Sequence, residues 1–168
     1  MRSERDVDQR ALNLRMLEME SSRPAARPEQ RQLFFAKLAE DFKHIQVVNN
    51  ELTLATAQGT MLDFKFVAKS ASEIKRRAQR LKLNLVLPEL DDAPRNHHRM
   101  EDKQLGASLS LLSGLIVRFV RNPIFQEVNV IDAQFSAKAR RDLEEIIELS
   151  GQVKKSSEKL SKTAQRSK

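Results

Sequence analysis

Apolar residues recur three and four positions apart through most of residues 28–87. Phe35, Leu38, Phe42, Ile45, Asn49, Leu52, Thr56 and Gly59 fall on one stripe of an α-helix, with a heptad-like seam. The seam then changes phase. Phe64, Val67, Ala71, Ile74, Ala78, Leu81 and Leu85 continue the alternation in a new register. The spacing predicts a first helix from Glu29 to Gln58, with Pro28 in its first turn, where a missing N–H costs nothing. Gly59 suits the left-handed residue that ends a helix. Thr60 with Asp63 would then cap a second helix, Met61 to Val86. A single continuous helix through Gly59 is the alternative. The change of phase favours a break or a bend there.

A mixed α+β reading competes with this. Leu62, Phe64 and Phe66 alternate, as do Leu81, Leu83, Leu85 and Leu87, so Met61–Val67 and Lys82–Leu87 could be strands. Ser70 with Glu73 would then cap a short helix between them. The helical stripe persists through both runs, however, and residues 73–83 are mostly good helix formers. Four glycines and five prolines are also few for an all-β fold.

Pro88 ends the second element. A polar stretch to Arg99 precedes a third helix, Asp102 to Arg121, whose stripe is Leu105, Leu109, Leu112, Ile116 and Phe119. Gly106, Ser110 and Gly114 lie on another of its faces, where small residues would admit a neighbouring helix. Asn122-Pro123 stops it. An apolar connector, Ile124 to Ile131, leads to Asp132, a good N-cap. The last helix, Ala133 to Lys162, carries Ala139, Leu143, Ile146, Ser150, Val153, Ser157 and Leu160 on its stripe. The expected fold is therefore all-α: an elongated antiparallel bundle of three or four helices, bent or broken near Gly59. The organisation expected is a flexible segment and linker over 1–28, one helical domain over 29–162, and a disordered basic tail over 163–168.

Composition narrows the function. There is no cysteine, hence no disulfide, thiolate nucleophile or cysteine-bound metal. No secretory signal stands at the start, and the most apolar run, Leu105–Val117, is too short to span a bilayer, which takes ~20 residues. A cytoplasmic location is expected. The net charge of +7 is concentrated in two places, Lys69–Lys82 and Gln152–Lys168, each with one glutamate against six basic residues. Lys69, Lys75, Arg76, Arg77, Arg80 and Lys82 form a candidate polyanion-binding face.

Catalytic and metal constellations are weak. His44 follows Glu40 and Asp41 at helical spacing, but the di-metal bundle pattern needs that pair twice. His97-His98 sits in a loop with nothing to fix its geometry. Glu144, Glu145 and Glu148 alternate with Arg140 and Arg141, as an ion-paired solvent face does. No phosphate-binding Gly-rich loop or nucleophile elbow is present. The expectation is a non-enzymatic helical interaction or scaffold protein without cofactor. It would associate with itself or another protein. Phe35, Leu38, Phe42, Ile45, Asn49 and Leu52 are candidate helix-interface residues, and Phe42, Ile45 and Leu52 are expected to be buried in a helical core with the stripes Leu109–Phe119 and Leu143–Val153. Asn49, polar on that seam, would fix register or partner number in a coiled coil, or be hydrogen-bonded or partly exposed in an ordinary bundle. Nucleic-acid binding by the basic helix face is the alternative, and peripheral association with a membrane surface a second one.

Overall fold

The computed structural model describes residues 27–89, 105–126 and 132–167. Among them it contains five helices and no strand: α1 (Pro28–Ala57), α2 (Phe64–Asn84), α3 (Leu105–Val120), the single turn α4 (Pro123–Gln126) and α5 (Ala133–Arg166). Neither stretch that alternates like a strand is one: residues 64–67 open α2, and burial settles the second. Leu81, Leu85 and Leu87 are buried while Leu83 is 77% exposed. Helical period, not period two, sorts Leu81, Leu83 and Leu85.

The chain breaks at Gly59, whose φ of +63° is left-handed and favours glycine. α1 and α2 fold back on each other as an antiparallel hairpin across residues 58–63. Thr60 is not the cap. Asp63 is: its Oδ1 accepts from the backbone N–H of Lys65 (2.9 Å) and Phe66 (3.2 Å), so α2 begins at Phe64. Asp132 caps α5 the same way, accepting from Gln134 (2.7 Å) and Phe135 (3.3 Å). Both satisfy N–H groups that the first helical turn leaves open.

α1 packs on α2 and α3, and α5 packs on the same two helices, so α1 and α5 face each other diagonally. α1 is antiparallel to α3 as well: Phe42 meets Phe119 and Asn49 meets Ser113. α5 is antiparallel to α2, with Lys82 near Glu144 and Lys75 near Gly151. The order is thus up-down-down-up, and α3 enters the bundle at the end where α2 began.

One core joins the four stripes. Leu38, Phe42, Ile45 and Leu52 from α1 bury with Val67, Ile74 and Leu81 from α2. Leu112, Ile116 and Phe119 from α3 and Leu143, Ile146 and Val153 from α5 complete it. Phe42, Phe119 and Phe125 form a ring cluster, with centroids 5.0–5.8 Å apart. The candidate helix-interface residues of the seam pack inside the chain, as a core stripe does. Five of the six are buried, and Phe35 is half-buried against the core. Asn49 is satisfied within the fold: its Nδ2 donates to Ser113 Oγ at 3.2 Å.

Two expectations need correction. Gly106, Ser110 and Gly114 are exposed, and no described atom lies within 4 Å of where a Cβ on either glycine would sit. The most extensive helix pairing is α2 with α5 instead. Small buried residues on both helices (Ala71 and Ala78, Ala139 and Ser150) permit it, since interaxial distance follows side-chain size. The last helix also runs past Lys162 to Arg166, so residues 163–166 are helical. Thr163 Oγ1 donates to Lys159 O (3.0 Å) and Ser167 Oγ to Thr163 O (3.2 Å). Arg166 stands at the negative end of the helix dipole. Val128, Val130, Ile131, His97 and His98 lie outside the described residues.

Candidate polyanion-binding groove

The antiparallel pairing of α2 with α5 has an electrostatic consequence. It lays the basic C-terminal part of α5 alongside the first turns of α2. A groove of about 1070 Å³ opens between α1, α2 and α5 at this end. Val48, Phe64, Phe66 and Ala68 give it an apolar lining. Lys65, Lys69 and Arg76 from α2, with Lys154 and Lys162 from α5, supply cations; Glu51, Glu73 and Glu158 supply carboxylates, Glu73 being paired with Arg76. Lys154 reaches Glu158 at 3.9 Å. Among the described residues, Lys65, Lys69 and Lys162 form no ion pair. Lys155 and Arg166 are exposed nearby on α5.

The six-residue basic face is divided by the fold. Lys69 is exposed and lines the groove. Lys75 lies across α5, its Nζ 3.2 Å from where a Cβ on Gly151 would be. The other four are paired. Arg76 donates through Nη2 to both Glu73 oxygens at 2.8 Å. Arg77 is only 7% exposed; it donates to Glu73 (2.7 Å), Asp41 (2.8 Å) and Glu40 (3.3 Å). Arg80 Nε donates to the buried Asp41 Oδ2 at 2.8 Å. Lys82 Nζ stands 2.9 Å from Glu144. Asp41 and Arg77 are equidistant in sequence from Gly59, as an antiparallel hairpin centred there requires.

These pairs show in the ionisation of the groups. The Arg76 hydrogen bonds, opposed by burial and joined by those of Arg77, hold the Glu73 carboxyl down at about 2. Burial alone would lower Arg77, but its bonds to Glu73, Glu40 and Asp41 outweigh that and raise it. Arg77 and Arg80 therefore clamp α1 to α2, Arg77 from a buried position and Arg80 from an exposed one.

The acidic and histidine clusters resolve similarly. His44 is near Glu73 (3.8 Å), while Asp41 turns to the arginines. Among the described residues no group of three or more His, Asp or Glu could hold a metal ion. Glu144 pairs with Lys82, and Glu145 lies 3.4 Å from Arg118. No described helix is long and apolar enough to cross a membrane. Comparison with family models, curated proteins and solved structures finds no match.

Sequence reasoning passed over Phe64, Phe66, Lys65, Lys154 and Lys162 as groove residues. Phe64 and Phe66 carry the alternation that also suggests a strand. Lys65 lies 89 residues before Lys154 in the chain, and only the α2–α5 register unites it with Lys154 and Lys162.

Proposed function

We propose that this protein is a non-enzymatic helical binding module that takes nucleic acid at the groove end of the α2–α5 pair. The observation that carries this reading is the meeting there of Lys65 and Lys69 with the basic C-terminal part of α5, where Lys65, Lys69 and Lys162 form no ion pair among the described residues. Clustered cations gain affinity for a polyanion by releasing its counterions, so binding must weaken with salt. Fluorescence anisotropy with a labelled oligonucleotide tests it. Lys69→Glu with Lys162→Glu should abolish binding that the native chain shows at about 50 mM salt, with an unchanged melting temperature. Absence of native binding at that salt removes the reading. Arg77 and Arg80 are poor targets for this test, because reversing them breaks the hairpin clamp.

A second reading, self-association, has its own observation. α3 presents Gly106, Ala107, Ser110 and Gly114 to solvent without a charge. Val117, 40% exposed, adds apolar area. A second copy could pack there as a scaffold contact. Light scattering across a concentration series should then show a dimer that Gly114→Arg returns to monomer. A monomer at every concentration ends this reading.

A further inference from the structure

We infer that the groove binds single-stranded nucleic acid, with unpaired bases against Phe64 and Phe66 and phosphates against the flanking lysines. This rests on the nucleic-acid reading above and specifies which form is bound.

Three observations point to an unpaired strand. The first is the lining. A groove that only tracked a phosphate backbone would gain nothing from apolar surface, yet Val48, Phe64 and Phe66 lie in this one. Both rings are half-buried and so retain surface toward the groove. Every base has a π-face that stacks on aromatic rings once it is unpaired, and a duplex keeps those faces covered.

The second is Glu51. It is exposed, lines the groove and has no ion-pair partner among the described residues. A carboxylate repels phosphate, so it is misplaced in a plain polyanion site. It suits a base edge, where it accepts from an exocyclic amino group such as that of cytosine. Glu158, tied to Lys154, is partly neutralised and less repulsive.

The third is scale. The groove lies between α1 and α5 across α2 and so is about one helix wide, about 10–12 Å, whereas a duplex is wide enough that its major groove alone, about 12 Å across, admits a helix. A duplex would touch the rim lysines without reaching the lining. The volume of about 1070 Å³ is at the upper end of what small-ligand pockets offer, so there is space for more than one base.

The test uses the full chain and four labelled probes of equal length: oligo-dT, a mixed-sequence single strand, its duplex, and an abasic strand that keeps the phosphates. Oligo-dT and the mixed strand should bind roughly tenfold or more tighter than the abasic strand, the size expected for stacking on an aromatic side chain. Phe66→Leu and Phe64→Leu, confirmed as folded by their melts, should each remove a large part of that advantage. Lys69→Gln should reduce the salt slope by about 0.7, one phosphate contact on a single strand. Equal binding of abasic and oligo-dT strands overturns the inference while leaving nucleic-acid binding intact. So does a duplex bound as tightly as a single strand. Capture by phosphatidylserine vesicles with no single-strand binding overturns both, and identifies the lysines as a membrane-surface patch.

Discussion

Phe42→Ala should lower stability by about 3–5 kcal/mol, the range for deleting a buried aromatic ring and leaving a cavity. Phe42 is 6% exposed and sits where α1 meets α3 and α4, in ring contact with Phe119 and Phe125 at 5.8 and 5.3 Å. Losing both contacts adds to the transfer term, since paired rings contribute about 0.5–1.5 kcal/mol beyond area. Ile45→Ala, fully buried on the same stripe, should cost about 2–5 kcal/mol. In a chain this size, 1 kcal/mol moves the melting temperature by about 2–4 °C. Lys43→Ala, exposed between them, should melt with the native protein. If Phe42→Ala and Ile45→Ala also melt with it, the stripe is not a core and the bundle loses its basis.

The four stripes were legible because each is a local property. Three-and-four spacing in one segment needs no knowledge of the others, and Leu105 to Phe119 or Ala139 to Val153 bury as their spacing demands. Partner choice was less legible. Whether a seam meets its own chain or another molecule depends on how many stripes the chain holds to cover it, and here four stripes close on each other. The exposed glycines of α3 show the same limit: small residues permit close approach, but only the neighbour order decides whether a helix arrives. In the candidate groove, the two basic clusters were visible as charge. Which cations remain unpaired was not, because Asp41, the partner of Arg77 and Arg80, lies on a different helix. A signal did exist. Placing a hairpin turn at Gly59 sets Glu40 and Asp41 opposite Arg77 and Arg80. A hairpin there, unlike a continuous helix, gives Arg77 and Arg80 a carboxylate partner on α1.

Arg118→Ala should destabilise the protein strongly at neutral pH and much less in mild acid. Arg118 on α3 donates through Nε to Asp142 Oδ1 on α5 at 2.8 Å, and also approaches Glu145 at 3.4 Å. Asp142 is 1% exposed, and its Oδ2 is buried without a hydrogen-bond partner among the described residues. Burial pushes its carboxyl above the ordinary range, with the Arg118 guanidinium opposing that shift. A raised folded pKa means that this group favours folding fully below its unfolded value, and that its contribution declines as pH rises through the folded one. Without Arg118 the shift grows, because nothing of comparable strength opposes burial. The cost at pH 7 should then approach the ~3–5 kcal/mol of an uncompensated buried charge. Near pH 4.5, just above the usual aspartate range of about 4, the variant's carboxyl can bind a proton and much of that cost should vanish. Asp142→Asn in the Arg118→Ala background removes the ionisable group, so it should recover stability at pH 7 and flatten the pH dependence. Urea unfolding of the native chain, both single variants and the double variant at the two pH values decides it. An Arg118→Ala deficit that is equal at both pH values, and unrelieved by Asp142→Asn, would show that Arg118 acts by packing its stem across α3 and α5 rather than by neutralising Asp142.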